Sequence, residues 1–190
     1  MPKGVGARLF VVGYTSASMS VSVVACALFF VRGYINLKRY DMETGATQQK
    51  ITLAFINDKS PILDAISKDL LTSGIEILFR SKNIEDGLSQ LSTLKELPKV
   101  CLIDLDFYDR NVLAKLQELR TKYPAIRLIA HSDNDTEKAV KPLLEIGFAG
   151  YLLIGSDADG FKKAIEVVSN GKRYFSMGVA KIAEEYFINK

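Results

Sequence analysis

The run Val100-Cys101-Leu102-Ile103 constrains this chain more than any other segment, because it is apolar without alternation and stops on a carboxylate, Asp104. Such a run reads as a strand buried on both faces, the mark of a parallel sheet. In open sheets of that kind, ligands sit outside the carboxyl ends of the strands. The same ending occurs at Thr52-Leu53-Ala54-Phe55-Ile56, which runs into Asn57-Asp58. Two neighbouring strands ending this way would bring Asn57, Asp58 and Asp104 together. That donor set suits a hard divalent cation and, with it, a phosphoryl group.

Around these two runs the chain alternates strand and helix without a break. Apolar runs lie at 52–56, 75–79, 100–103, 126–130 and 150–154. Between them apolar residues recur at helical spacing: Ile62, Leu63, Ile66 and Leu70; Ile84, Leu88 and Leu91; Val112, Leu113, Leu116 and Leu119; Val140, Leu143 and Leu144; Phe161, Ala164, Ile165 and Val168. Ser73-Gly74, Leu97-Pro98, Tyr123-Pro124, Ile146-Gly147 and Asn170-Gly171 punctuate them as turns. Five β-α units predict a doubly wound α/β fold: a five-stranded parallel sheet in the order 2-1-3-4-5, with helices on both faces. A terminal amphipathic helix over 177–190, with Val179, Ile182, Ala183, Tyr186 and Phe187 on one face, closes the chain.

Charge and cysteine usage exclude several function classes. The net charge of +3 is uneven: residues 1–41 carry +4 and the remainder −1. The globular part is therefore no basic nucleic-acid binder. Cys26 and Cys101 lie in different apolar segments and suggest neither a disulfide nor a metal site. The single histidine, His131, has no cysteine or second histidine beside it and reads poorly as a metal ligand.

Residues 1–50 are a segment apart. Leu9 to Val31 carries no charge over 23 residues, and as a helix would span about 34 Å, enough for a bilayer core. A membrane anchor holding a cytoplasmic domain at the inner membrane is one reading; the heavier positive charge after the segment favours a cytoplasmic carboxyl end. A true start at Met42 is the second, since Gly13, Thr15, Ser16, Ser18 and Ser20 dilute the first half of the span. A cleaved signal at Val23-Val24-Ala25-Cys26 is the third and weakest, because Ala27 to Val31 stays apolar beyond it.

From Ile51 to Ser176 the chain resembles the receiver domain of bacterial two-component response regulators, most of all the LuxR-type subfamily with a carboxyl-terminal helix-turn-helix. Ile56-Asn57-Asp58 resembles the acidic pair after the first strand, and Leu102-Ile103-Asp104-Leu105-Asp106 the phosphoacceptor strand. Leu128-Ile129-Ala130-His131-Ser132 resembles the fourth strand with its terminal hydroxyl. Gly147 to Leu153 resembles the fifth strand with its switch aromatic, and Gly171 to Ser176 the exit from the fifth helix. The resemblance implies a flavodoxin-like fold and a signalling protein rather than an enzyme. It implies phosphoryl transfer to Asp104 from a histidine kinase or phosphotransfer protein. It also implies a magnesium ion held by Asp58, Asp104, the backbone carbonyl of Asp106 and, through water, Asn57, with Ser132 and Tyr151 as the switch pair. A protein partner or a second copy of the chain would bind the face of the fourth helix, fifth strand and fifth helix.

The departures from the pattern point to weakened chemistry. Ile154 stands where the family has a phosphate-pairing lysine, and a cation about 4 Å from an anion is worth about 4 kcal/mol at an effective dielectric near 20. Phe107-Tyr108 and Val112 replace the Met-Pro and glycine of the loop after the acceptor. No DNA-binding domain follows within the sequence, so no direct DNA contact is expected. Plainer readings stand beside the functional ones: Asp104 as a strand-terminal residue, Ser132 as a helix cap, Tyr151 as a packed aromatic. Two readings remain, a phosphoacceptor and a pseudo-receiver that binds partners without phosphorylation. A flavodoxin-like nucleotide binder shares the architecture but would want a phosphate loop, which Asn57-Asp58-Lys59-Ser60-Pro61 is not.

Overall fold

The computed structural model describes residues 50–56, 61–105 and 111–190. Strand and helix alternate through β1 (Thr52–Ile56), α1 (Ile62–Thr72), β2 (Glu76–Arg80), α2 (Ile84–Thr93), β3 (Val100–Asp104) and α3 (Val112–Lys122). They continue through β4 (Arg127–Ser132), α4 (Glu137–Ile146), β5 (Gly150–Leu153), α5 (Ala158–Ser169), β6 (Tyr174–Phe175) and α6 (Met177–Ile188). All pairings are parallel and the sheet order is β2-β1-β3-β4-β5-β6. The five strands expected from the apolar runs keep the order 2-1-3-4-5. The expectation of five strands is corrected to six. β6 has two residues and no apolar run, so periodicity could not reveal it. Tyr174 donates its N–H to Ala149 O (3.0 Å), which docks the chain beside β5.

Burial explains why the strand runs lack alternation. The central strands carry helices on both faces, so every second residue still meets a helix. On one face Leu53, Phe55, Leu102, Ile129 and Leu152 pack against α1 and α5 through Leu63, Ile66, Leu70, Phe161, Ala164, Ile165 and Val168. On the other face Ala54, Ile56, Cys101, Ile103, Leu128, Ala130 and Tyr151 pack against α2, α3, α4 and α6. Each residue removed from water on these faces contributes about 1.5–3 kcal/mol for a large apolar side chain. Ile62 and Leu113, expected on buried helix faces, are exposed; the faces turn instead on Leu63 and on Val112 and Leu116.

Local chemistry sets the helix ends. Asn83 caps α2 by accepting Asp86 N–H (2.8 Å), and Asp157 caps α5 by accepting Gly160 N–H (2.8 Å). Gly147 closes α4 at φ 97°, a left-handed position that disfavours side chains. Gly87 brings α2 close to the sheet: a Cβ there would lie 2.9 Å from Ser81 Oγ and 3.0 Å from Ile56 Cγ2.

The terminal helix packs back against the fourth. α6 lies on α4, with Val179 and Ala183 fully buried in the cluster that holds Val140, Leu143, Leu144 and Tyr151. The ring of Phe187 lies 6.3 Å from that of Phe175, and Arg173 stacks 3.8 Å from the Phe187 centroid. On the face of the fourth helix, fifth strand and fifth helix, where a partner was expected, β6 lies beside β5 and α6 covers part of α4. Among the described residues no helix is long and apolar enough to cross a membrane. The candidate span 9–31 lies outside them, as do Met42, Asn57, Asp58, Asp106, Phe107 and Tyr108.

Candidate functional site

β1 and β3 run side by side and end together: Ile56 pairs with Ile103, one residue before Asp104. β4 continues the edge, with Asp104 in register with His131. Asp104 thus stands at the carboxyl edge of a central strand, as a carboxylate that ends an apolar run must. Its side chain keeps 16% of its surface exposed.

Strand alternation then divides the site. Ile129 and Leu102 face α1 and α5, so two residues on, His131 and Asp104 share that face. His131 Nδ1 lies 3.1 Å from Asp104 Oδ1, and its ring packs 5.1 Å from that of Phe161 on α5. The histidine side chain is only 2% exposed. Ser132 follows Ala130 onto the opposite face, the one that holds Tyr151. The structure therefore brings Asp104 together with His131, a residue that sequence reasoning passed over, and sets Ser132 and Tyr151 on the other side of the sheet. The signal that could have found His131 was positional: one residue before the terminal hydroxyl, at the register of Asp104.

Ser132 does not cap the next helix. Thr136 occupies the N-cap of α4, and Ser132 Oγ accepts Asn134 N–H (3.2 Å) to close the turn after β4. Asn134 Oδ1 in turn accepts from Thr136 N–H (3.1 Å) and Thr136 Oγ1 (2.7 Å). Backbone bonds hold the strand end from both sides: Leu105 N–H donates to His131 O (2.8 Å) and Ile154 N–H to Ser132 O (3.0 Å).

Tyr151 is buried, and its hydroxyl donates to the carbonyl of Asn134. Burial raises its phenol above the usual range; the Asp133 and Asp135 carboxylates add to the rise and the Ser132 hydroxyl opposes it. From Tyr151 the structure connects directly to α6. Ser176 N–H donates to Tyr151 O (2.9 Å), and Ser176 Oγ accepts Leu153 N–H (3.1 Å). Ile154 is 56% exposed and presents an apolar side chain where the resemblance would place an ammonium. Cys101 is buried behind this edge, and burial holds its thiol far above the ordinary range, so it is no nucleophile.

The donor types expected for a divalent cation are all oxygen, which suits magnesium. Of them Asp104 is described; Asn57, Asp58 and Asp106 lie outside the described residues. Among the described residues no group of three acidic, histidine or cysteine side chains forms a metal cluster.

Comparison with known proteins agrees with this fold. No protein-family model matches the chain. The transcriptional regulatory protein DegU of Brevibacillus brevis is 26% identical over 147 residues, covering 76% of this chain and 61% of the relative. The transcriptional regulatory protein MctR of Rhizobium johnstonii is 28% identical over 131 residues, covering 68% and 60%. The chain thus spans about three fifths of the length of the curated relatives it matches. Among solved structures, the isolated REC domain of RcsB from Salmonella enterica serovar Typhimurium superposes with a TM-score of 0.59 at 15% identity, covering 70% of this chain and 97% of that one. A LuxR-family response regulator from Aurantimonas sp. SI85-9A1 superposes with a TM-score of 0.59 at 17% identity, covering 72% and 96%. The homologues of this chain are response regulators of the LuxR type, and its described domain has the receiver fold.

Proposed function

We propose that the domain is a receiver module of two-component signalling that accepts a phosphoryl group on Asp104 with weakened chemistry. The observation that carries this reading is the placement of Asp104: a partly exposed carboxylate at the end of β3, on the sheet edge where β1 and β4 also end. Phosphoryl transfer asks mostly for positioning and charge neutralisation. The carboxylate would attack the phosphorus of a histidine-kinase or phosphotransfer donor, and the donor's leaving group would depart with the bond's electrons. A magnesium ion held by Asp58, Asp104, the Asp106 carbonyl and, through water, Asn57 would neutralise the crowded charge. Ser132 and Tyr151 would read the modified state. The reading places the domain on the cytoplasmic side, with residues 9–31 as its candidate tether to the inner membrane.

The pseudo-receiver reading draws support from three observations. Ile154 supplies no charge at the site mouth, Tyr151 is already buried and bonded to Asn134 O, and α6 lies on α4. A module settled in this way would bind a protein partner, or a second copy of itself, without phosphorylation. Incubation with acetyl phosphate and magnesium, followed by intact mass measurement, separates the two. A gain of one phosphoryl group that Asp104→Asn abolishes supports the phosphoacceptor. No gain in the wild type or in Ile154→Lys leaves the pseudo-receiver.

A further inference from the structure

His131 is the feature that the receiver resemblance does not account for. It is the only histidine in the sequence, it is almost wholly buried, and its Nδ1 meets the proposed acceptor carboxylate at 3.1 Å. Two carboxylate-facing geometries are open to an imidazole. With the proton on Nδ1 it donates to Oδ1; with Nδ1 bare, its lone pair would face a carboxylate oxygen, which is repulsive. The contact therefore calls for a proton on Nδ1. The ring is held in that orientation by Phe161 behind it and by strand pairing, since Asp104 and His131 are partners in register.

We propose that His131 is a positioning residue that restrains Asp104: its Nδ1–H holds Oδ1 and slows transfer of a phosphoryl group to the carboxylate. The inference rests on the phosphoacceptor reading above. A carboxylate that joins cation-assisted phosphoryl transfer needs electron density on both oxygens, one toward the cation and one toward phosphorus. A donor on Oδ1 draws density from the anion and competes for the lone pairs that a divalent cation would use. Because the histidine is buried and packed on Phe161, it cannot swing out to solvent as a surface donor would. The restraint is built into the α5 face of the sheet.

His131→Leu removes the donor while keeping an apolar side chain against Phe161. His131→Asn keeps an N–H near the position of Nδ1. With acetyl phosphate and magnesium, His131→Leu should be modified roughly three- to tenfold faster than wild type, the range left when a bond to a charged group is lost and partly replaced by water. His131→Asn should return the slow rate. Affinity for manganese, followed by calorimetry, should tighten in His131→Leu and not in His131→Asn, and this readout needs no phosphoryl transfer. Equal rates and equal manganese affinity in the two variants would overturn the proposal, as would a slower His131→Leu. Failure of the wild type to take up phosphate would count against the phosphoacceptor reading alone, while a modified His131→Leu or its tighter manganese binding would still support the restraint. Should either variant not fold, the wild type decides. Its single histidine gives one set of side-chain signals in long-range proton–nitrogen NMR spectra. Protonation at Nδ1, with a shift in Asp104→Asn, is expected; a bare Nδ1 would overturn the proposal.

Discussion

The two faces of the sheet divide the work differently. The face under α1 and α5 is closed by two helices around Phe161, and it is this face that Asp104 and His131 join. The face under α2, α3, α4 and α6 is larger, holds Tyr151 and Ser132, and carries the extra helix. Asp104, and the Ser132 and Tyr151 side chains, therefore lie on opposite faces of one sheet. The shortest link between Asp104 and Ser132 is the hydrogen bond to His131 followed by the His131–Ser132 peptide bond. Backbone bonds from Leu105 to His131 and from Ile154 to Ser132 tie that peptide to both neighbouring strands. Alternation along a strand thus does more than sort core from solvent: it places adjacent residues in two separate environments while keeping them mechanically joined.

The strongest way to break this division is at Phe161. The residue is fully buried and supports His131. Phe161→Ala should destabilise the domain by about 3–5 kcal/mol through lost burial and the cavity left behind. Urea unfolding followed by circular dichroism measures the loss. In the folded fraction the His131 signals should move while the Asn134 and Tyr151 backbone signals stay. Movement of both sets together would show that the faces are not independent.

The opposite face is held at its far end by Arg120. Its guanidinium, lowered in pKa first by partial burial and then by Arg127, donates to the carbonyls of Ile146, Pro124, Ile126 and Gly147 at 2.8–3.2 Å. One side chain thereby joins the end of α3, the start of β4 and the end of α4. Arg120→Ala should cost about 2–3 kcal/mol in the same unfolding experiment, since several carbonyls lose a charged donor while solvent replaces part of it. Arg120→Lys should recover little, because an ammonium lacks the planar fork that reaches four acceptors at once. Full recovery by lysine would reduce the clamp to a simple charge effect.

The same contrast explains what was legible in the amino-acid sequence. The five longer strands and the helices announced themselves because doubly covered strands are continuous apolar runs and each helix has one apolar stripe. β6 did not, because Tyr174 and Phe175 form a strand only by pairing with β5. The exposure of Ile62 and Leu113 was hidden for a related reason: a helix of alternating apolar pairs does not say which member of a pair turns inward. Asp104 was legible as a strand-end carboxylate. His131 was not, because its meaning depends on the β3–β4 register, and a lone histidine carries no local signature of a carboxylate partner. α6 was legible as amphipathic, but its seat on α4 depends on the Ser176 bonds to β5, which no periodicity encodes.

A smaller effect is expected at Tyr151. Tyr151→Phe keeps the ring in the apolar cluster and removes only the hydroxyl bond to Asn134 O. The loss should be about 1–2 kcal/mol, the cost of leaving one buried acceptor short of its donor. Hydrogen exchange at Asn134 and Thr136 should quicken, because the turn after β4 loses its tie to β5. An unchanged turn would mean that Ser132 and Asn134 hold it without help from the Tyr151 hydroxyl.

The smallest expected effect concerns pH and falls on the same hydroxyl. Burial, with Asp133 and Asp135 adding, lifts the folded-state phenol above its ordinary value near 10. The folded state therefore favours the neutral phenol more than the unfolded chain does. That contribution to stability is complete below the unfolded value and fades as pH rises through the folded one, since the unfolded chain then gives up its proton first. Wild-type stability should fall between pH 10 and the folded-state value more steeply than that of Tyr151→Phe, measured by urea titration at each pH. The two curves should consequently differ only above pH 10 once the constant loss of the hydroxyl bond is subtracted. A difference already present near pH 7 in the shape of the curves would show that the phenol's own ionisation is not the source of the slope.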